Sequence, residues 1–307
     1  MQTAISSIPT IDFQPFWQGD TATQQSIAIQ IDRACREIGF FYLRNYGTPA
    51  SLLAQQFEQS RQFFALPLTA KQQLAWKTAA SNCGYGGLGR EQLDPACPSD
   101  YKETFNINRE LESSLVEQRH WPKQLPEFRS TVIDFFAACV QTADAVLQAI
   151  ALALKLPPDF FTLCHSQQVH TLRLLHYPPL PSDPSTEYLR AAAHTDYGSI
   201  TLLFQDAIAG LEVQTVSGDW IAAPPVANTV LVNLGDLMQR WTNAEYRSTR
   251  HRVLPTAATQ HRYSIAFFCQ PNPDTEIICL PDCSDRPARY APIAAGDYLL
   301  QRLQATY

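Results

Sequence analysis

From residue 21 to residue 39 the chain repeats apolar positions at three- and four-residue steps: Ile27, Ile31, Ala34 and Ile38 share one face, and Gly39 ends the run. That period predicts an amphipathic helix over Thr21–Gly39, and the unbroken Phe40-Phe41-Tyr42-Leu43 behind it predicts a buried strand. A short extended segment, Ile8–Phe13, precedes them. A second helix is predicted from about Pro49 to Ala65, stopped by Leu66-Pro67, and a long third one over Leu125–Leu156, broken by Pro157-Pro158. Between Ser81 and Asp100 the periodicity gives way to Gly, Pro, Cys and Asp, with Gly84, Gly86, Gly87 and Gly89 close together. These glycines lack the strand-before, helix-after setting of a phosphate-binding loop, so the expectation is a mobile loop able to cover an active site.

Beyond His170 the period changes to short β-branched and aromatic runs separated by turn residues, such as Ile200–Phe204, Thr229–Asn233 and Tyr263–Phe268. Runs at roughly ten-residue spacing predict a sandwich or barrel. The chain is therefore read as mainly β with α: residues 1–165 a helical N-terminal region packed on the barrel, residues 166–307 the barrel itself, with no internal repeat or low-complexity linker.

Composition narrows the function classes. A 307-residue chain with 45% hydrophobic content can bury a full core, and a formal charge of −6 with scattered Lys and Arg lacks the basic face that nucleic acid or an anionic membrane would need. No positive charge precedes Arg33, and the longest apolar stretch, Ala145–Leu156, is interrupted by Gln148 and is too short to span a bilayer. The expectation is a cytoplasmic, monomeric protein acting on a small molecule. The eight cysteines form no CxxC pair and are read as reduced thiols without chemistry.

Candidate chemistry begins at Ala191-Ala192-Ala193-His194-Thr195-Asp196, read as the end of a strand on which His194 and Asp196 share one face. Imidazole and carboxylate together suit a borderline divalent metal. Two histidines and one carboxylate leave three positions open, as oxygen chemistry by non-haem iron requires. His-x-Asp alone is weak, because a chain with 7 histidines has roughly 0.4 chance matches. The third ligand comes from Ser248–Val253, another expected strand, as His251; His120 sits in a helical or loop region, His165 ends a helix, His170 begins the strand region, His176 precedes Tyr177-Pro178-Pro179 and His261 adjoins a turn, settings read as favouring surface or satisfied side chains. Arg262 and Ser264 again share a strand face, and a guanidinium beside a hydroxyl makes a carboxylate receptor.

These pieces, with Pro9–Phe13, Glu37–Tyr42, Phe63–Pro67, Lys102-Glu103, Leu172–Pro178, His194-Thr195-Asp196-Tyr197-Gly198 and Asn233-Leu234-Gly235-Asp236 in this order, resemble the isopenicillin N synthase-like branch of the iron(II), 2-oxoglutarate-dependent oxygenases over nearly the whole chain. The resemblance implies a double-stranded β-helix (jelly roll) with Fe(II) held by His194, Asp196 and His251 near one open end. It also implies 2-oxoglutarate and O2 as cosubstrates, with Arg262 and Ser264 on the distal carboxylate of 2-oxoglutarate and Tyr177 hydrogen-bonding it. Phe268 matches a position that lines the substrate pocket. Further pocket candidates are Tyr197 from the barrel and Tyr85, Arg90, Tyr101 and Phe105 from the loop region. One departure is Leu175, where many members carry Asn. The expected reaction oxidises a C–H bond of a small organic or amino-acid-like molecule by hydroxylation, desaturation or cyclisation. Open alternatives are an iron oxidase that uses the Arg-x-Ser pair for its own substrate, a non-catalytic binding barrel, and a zinc hydrolase that would leave Arg262 and Ser264 without a role.

Overall fold

The computed structural model describes residues 7–76, 82–94, 96–108, 121–180, 189–255, 259–283 and 286–306; His120, Ser81 and Pro95 lie outside them. The first part of the chain runs β1 (Thr10–Asp12), α1 (Gln14–Gln18), α2 (Thr21–Glu37), β2 (Phe40–Arg44), α3 (Ala50–Ala65), α4 (Leu68–Gln72), β3 (Gly84–Gly86), β4 (Glu103–Asn108), α5 (Phe128–Ala153) and α6 (Phe160–Cys164). The rest is β5 (Thr171–Tyr177), β6 (Ala191–His194), β7 (Ile200–Gln205), β8 (Leu211–Gln214), β9 (Trp220–Ala222), β10 (Thr229–Leu234), α7 (Asp236–Trp241), β11 (His251–Val253), β12 (Arg262–Cys269), β13 (Glu276–Ile277), β14 (Ile293–Ala294) and α8 (Ala295–Thr306).

The predicted helices form within a few residues of their expected bounds, for local reasons. Asp20 caps α2 by accepting the Thr23 amide at 2.9 Å. Gly39 ends its turn at φ +73°, where a Cβ would lie 2.2 Å from the Arg247 carbonyl.

Two sheets face each other. The larger has the order β1-β2-β10-β7-β12-β5-β4-β3 and the smaller β6-β11-β8-β9, giving the jelly-roll core. Four strands of the larger sheet, β1 to β4, come from before residue 165. The N-terminal region is thus helical in its bulk yet woven into the barrel wall, because β2 pairs along β10 and β4 along β5.

The central strands of the larger sheet are buried on both faces. On β12, Ile265, Phe267 and Cys269 join the core under the helices, while Arg262, Ser264, Ala266 and Phe268 line a cavity between the sheets. Strand β5 alternates likewise, with Leu172 and Leu174 outward and Thr171, Arg173, Leu175 and Tyr177 inward. Covering both faces explains the continuous apolar look of these runs. Helix α5 lies across the outer face; Phe135 meets Phe204 of β7 at 5.2 Å and Phe136 meets Phe267 of β12 at 5.0 Å. By length and composition α5 is apolar enough to cross a membrane, which the interrupted stretch Ala145–Leu156 did not foretell, and 67% of its most apolar window is buried inside this fold.

The described residues of segment 81–100 are mostly turn and coil, as expected, with one short strand among them. Gly84–Gly86 forms β3 at the sheet edge, paired with β4. The segment is further anchored by a buried charge cluster: Lys102 Nζ lies 3.0 Å from Glu91 and 2.7 Å from Asp100, and Arg173 lies 3.1 Å from Glu91. Gly84 and Gly86 sit in that edge strand, where a Cβ would lie 2.4 Å from the Leu74 carbonyl and 2.6 Å from the Thr104 hydroxyl, whereas Gly87 and Gly89 lie beyond it with room around them. All eight cysteines are free thiols.

Candidate active site

Strands β6 and β11 run antiparallel with His194 and His251 as direct partners, so the two imidazoles project side by side, ring centroids 4.3 Å apart. Asp196 arrives from beyond the end of β6, not from the strand itself. Its Oδ1 lies 3.7 Å from His251 Nε2 and 4.0 Å from His194 Nε2. The three ligand atoms fall within 4.8 Å of one another, a spacing one cation can bridge. Expected strand Ser248–Val253 begins only at His251.

The surroundings orient these groups as ligands. His194 Nδ1 contacts the Ala192 carbonyl at 2.7 Å and His251 Nδ1 the Thr249 carbonyl at 3.1 Å. In each ring the Nδ1–H is thereby engaged, which leaves the Nε2 lone pair facing the partner residues. Burial, with His251 alongside, lowers the pKa of His194 to about 3, keeping a neutral imidazole ready to ligate. Burial alone would raise Asp196; the two histidines and hydrogen bonds from Asn233 and Thr201 outweigh it and hold the group as carboxylate. Thr201 Oγ1 and Asn233 Nδ2 donate to Asp196 Oδ2 at 2.6 and 2.7 Å.

Deeper in the same cavity, Arg262 and Tyr177 are cross-strand partners on β12 and β5, and Ser264 follows on the inward face. All three are buried; Arg262 is 1% exposed. The guanidinium donates through Nε to the Ile208 carbonyl at 3.2 Å and through Nη2 to Gln205 Oε1 at 3.0 Å, and it lies 4.9 Å from the Tyr177 ring centroid. Among the described residues its Nη1 has no hydrogen-bond partner. An unpaired cationic N–H in a buried site is costly alone, and an incoming carboxylate removes that cost. The donor set fits both a divalent cation and a dicarboxylate beside it.

Of the expected substrate contacts, Tyr197 and Phe268 line the cavity, whereas Tyr85, Arg90, Tyr101 and Phe105 do not. Tyr85 and Phe105 are direct partners across β3 and β4, on the face turned to the helices. The Tyr85 hydroxyl donates to Glu103 at 2.6 Å, and Phe105 packs 4.4 Å from Phe63. Arg90 lies over the Trp76 ring at 4.4 Å, and the Tyr101 amide is spent on the Leu189 carbonyl. Without a fixed strand register, the facing of these residues could not be derived.

Residues that sequence reasoning did not assign complete the lining. Asn82, Lys102, Arg173 and Gln270 supply polar groups, and Leu299, Leu303 and Thr306 of α8 form a further wall. Arg173 was detectable in principle, since it precedes Tyr177 by two strand repeats. The α8 residues carried no such signal. This helix is latched by Tyr298, whose hydroxyl donates to Asp236 at 2.7 Å, and by the 2.6 Å hydrogen bond between Tyr197 and Thr306.

Comparison with known proteins agrees with this geometry. Residues 8–128 match the family described as non-haem dioxygenase in morphine synthesis N-terminal, and residues 168–271 match the 2OG-Fe(II) oxygenase superfamily. The chain is 34% identical to a 2-oxoglutarate-Fe(II) type oxidoreductase of Emericella nidulans, over 97% of this chain and 90% of the relative. It is 33% identical to a proline hydroxylase of Petromyces alliaceus, over 98% and 99%. Among solved structures, a full-length Neurospora crassa protein in complex with alpha-KG (2-oxoglutarate) superposes with TM-score 0.90 at 37% identity, covering 100% of both chains. The same protein with alpha-KG and thymine gives 0.89 at 38%, covering 98% of this chain and 97% of that one. On fold, donor set and kinship alike, the chain belongs to the iron(II)- and 2-oxoglutarate-dependent dioxygenases.

Proposed function

We propose that this oxygenase hydroxylates a small, uncharged, planar ring compound, with a six-membered nitrogen heterocycle such as thymine as the first substrate to try. The observation that carries the reading is a charge asymmetry within the cavity. Among the described residues the Nη1 amino group of Arg262 has no partner, whereas Lys102 and Arg173 are each paired with buried carboxylates, Lys102 with Glu91 and Asp100 and Arg173 with Glu91. Among the described residues those two cations and two anions balance, so the substrate side they form offers hydrogen bonds without a net charge for a carboxylate or an ammonium to meet. Two aromatic side chains, Tyr197 and Phe268, line that side with Asn82 and Gln270, a combination suited to a flat ring bearing carbonyl and N–H groups. The thymine complex of the similar Neurospora crassa protein supports the same class.

In this reading His194, Asp196 and His251 hold iron, and Arg262, Ser264 and Tyr177 hold the distal carboxylate of 2-oxoglutarate. Iron and cosubstrate, when bound, supply O2 activation and the oxidising equivalent, with succinate and carbon dioxide released. Arg262 fixes the cosubstrate's far end and so its direction of approach. Tyr197 and Phe268 orient the ring, and Leu299 and Leu303 exclude water from its other side.

The test is to incubate the enzyme with Fe(II), 2-oxoglutarate and O2, adding thymine, uracil, proline or homoarginine separately, and to quantify succinate and oxidised product. Ring compounds should stimulate succinate release with matching product. If proline or homoarginine does so and the rings do not, the uncharged-ring reading is wrong.

A further inference from the structure

The segment Asn233-Leu234-Gly235-Asp236 is packed backbone to backbone against the loop that carries Asp196. The Asp236 amide donates to the Asp196 carbonyl at 2.8 Å, the Leu237 amide to the Gly198 carbonyl at 3.0 Å, and the Gly235 amide to the Ser199 carbonyl at 2.9 Å. A Cβ at Gly235 would lie 2.2 Å from the Gly198 carbonyl oxygen, so the approach requires glycine at that point. Two residues earlier, Asn233 of β10 is the direct cross-strand partner of Thr201 of β7. Both side chains are buried, and both donate to the same carboxylate oxygen, Asp196 Oδ2. The other oxygen, Oδ1, is the one near the two histidine Nε2 atoms.

We infer that Asn233 and Thr201 are positioning residues that restrict Asp196 to one-oxygen ligation. A carboxylate offers two oxygens and readily chelates a cation with both. Bidentate Asp196 would occupy a fourth coordination position. Two positions would then remain where a chelating 2-oxo acid and O2 together need three. Two short charge-assisted hydrogen bonds saturate Oδ2 and remove that option. The device is needed here because Asp196 lies past the end of β6, where no ladder fixes its direction.

The inference rests on the ligand assignment, and the experiment separates the two. Variants Thr201→Val, Thr201→Ser, Asn233→Leu, the double Thr201→Val/Asn233→Leu and His194→Ala are loaded anaerobically. Co(II) affinity is measured by chelator competition, coordination by the Co(II) visible spectrum, and 2-oxoglutarate affinity by titrating the Fe(II) charge-transfer band. Thr201→Ser should match the parent, and each single loss should weaken 2-oxoglutarate a few-fold. The double variant should weaken it on the order of 10- to 100-fold, the range known for groups that orient metal ligands, with a changed Co(II) spectrum. Co(II) affinity should fall by less than 2-oxoglutarate affinity, since the freed oxygen compensates at the metal. Metal and cosubstrate affinities falling in parallel, or a double variant that binds 2-oxoglutarate like the parent, would overturn the inference. Because Thr201→Val is isosteric, that single variant decides the matter if Asn233→Leu does not fold. Undiminished Co(II) binding by His194→Ala would overturn the ligand assignment and the inference with it.

Discussion

Arg262, 1% exposed, spends two of its nitrogens on Ile208 and Gln205 and holds the third, Nη1, without a partner among the described residues. Replacing it with Leu should raise the dissociation constant for 2-oxoglutarate by roughly 10-fold or more, the cost of about 1.5–3 kcal/mol for a charged hydrogen bond, while leaving Co(II) affinity near that of the parent. Equilibrium titration of both ligands checks this, and an unchanged cosubstrate constant would place the carboxylate elsewhere. At this scale the sequence was legible wherever chemistry depends on residue type and short spacing. His194 and Asp196 are two apart, Arg262 and Ser264 are two apart, and each pair reached the same cavity. It was silent on Thr201 and Asn233, because a hydroxyl and an amide have many uses and only the β7–β10 register brings both to one oxygen.

The packing of the elements decided which candidates reach the cavity. Strand period two sends Phe105 and Tyr85 to the helices and leaves Arg173 and Phe268 at the cavity, so a one-residue difference in register reverses an assignment. Helix α8 contributes a wall from a part of the chain beyond residue 271, where the second family match ends. Two substitutions test its role. Leu303→Ala should open that wall and shift acceptance from one-ring towards two-ring compounds, read by succinate release over a size-graded panel. Tyr298→Phe removes the 2.7 Å latch to Asp236 and should raise the Michaelis constant of the ring substrate several-fold while leaving that of 2-oxoglutarate within about twofold. An equal rise in both constants would mean that α8 supports the whole site and not the substrate side. A hydrogen bond to a carboxylate contributes about 1.5–3 kcal/mol in full, of which only the part transmitted through α8 reaches the substrate, so a several-fold effect is the appropriate scale.

For the whole molecule, acid is the predicted weakness. His165 is buried between the Phe161 carbonyl and Ser199, and burial lowers its pKa from 6.5 to about 4. The unfolded chain therefore takes up a proton between those values that the folded protein refuses, and stability falls as pH drops from 6.5 towards 4, by up to about 3 kcal/mol. Glu103 adds to this at lower pH. Burial alone would raise it, but His176, Lys71 and Tyr85 donate to it and bring its pKa to about 2, so its contribution is lost as pH falls from 4.5 towards 2. Urea midpoints measured from pH 7 to 4 should decline, and His165→Gln should flatten the upper part of that decline. Metal with 2-oxoglutarate at about 100 times the dissociation constant should add about 2.7 kcal/mol, a gain that His194→Ala should abolish in thermal unfolding. The sequence by itself determined the helices and the strand-rich second half, which are written in local period, and pointed to the His194/Asp196 and Arg262/Ser264 pairs through two-residue spacing, whereas His251, 55 residues beyond Asp196, came from its expected strand setting and the family resemblance. Only the tertiary structure decided that four N-terminal strands complete the barrel, which aromatic residues line the cavity, and which side chains donate to Asp196. Those depend on pairings between residues tens to hundreds of positions apart, and hydrophobic period carries no information about register.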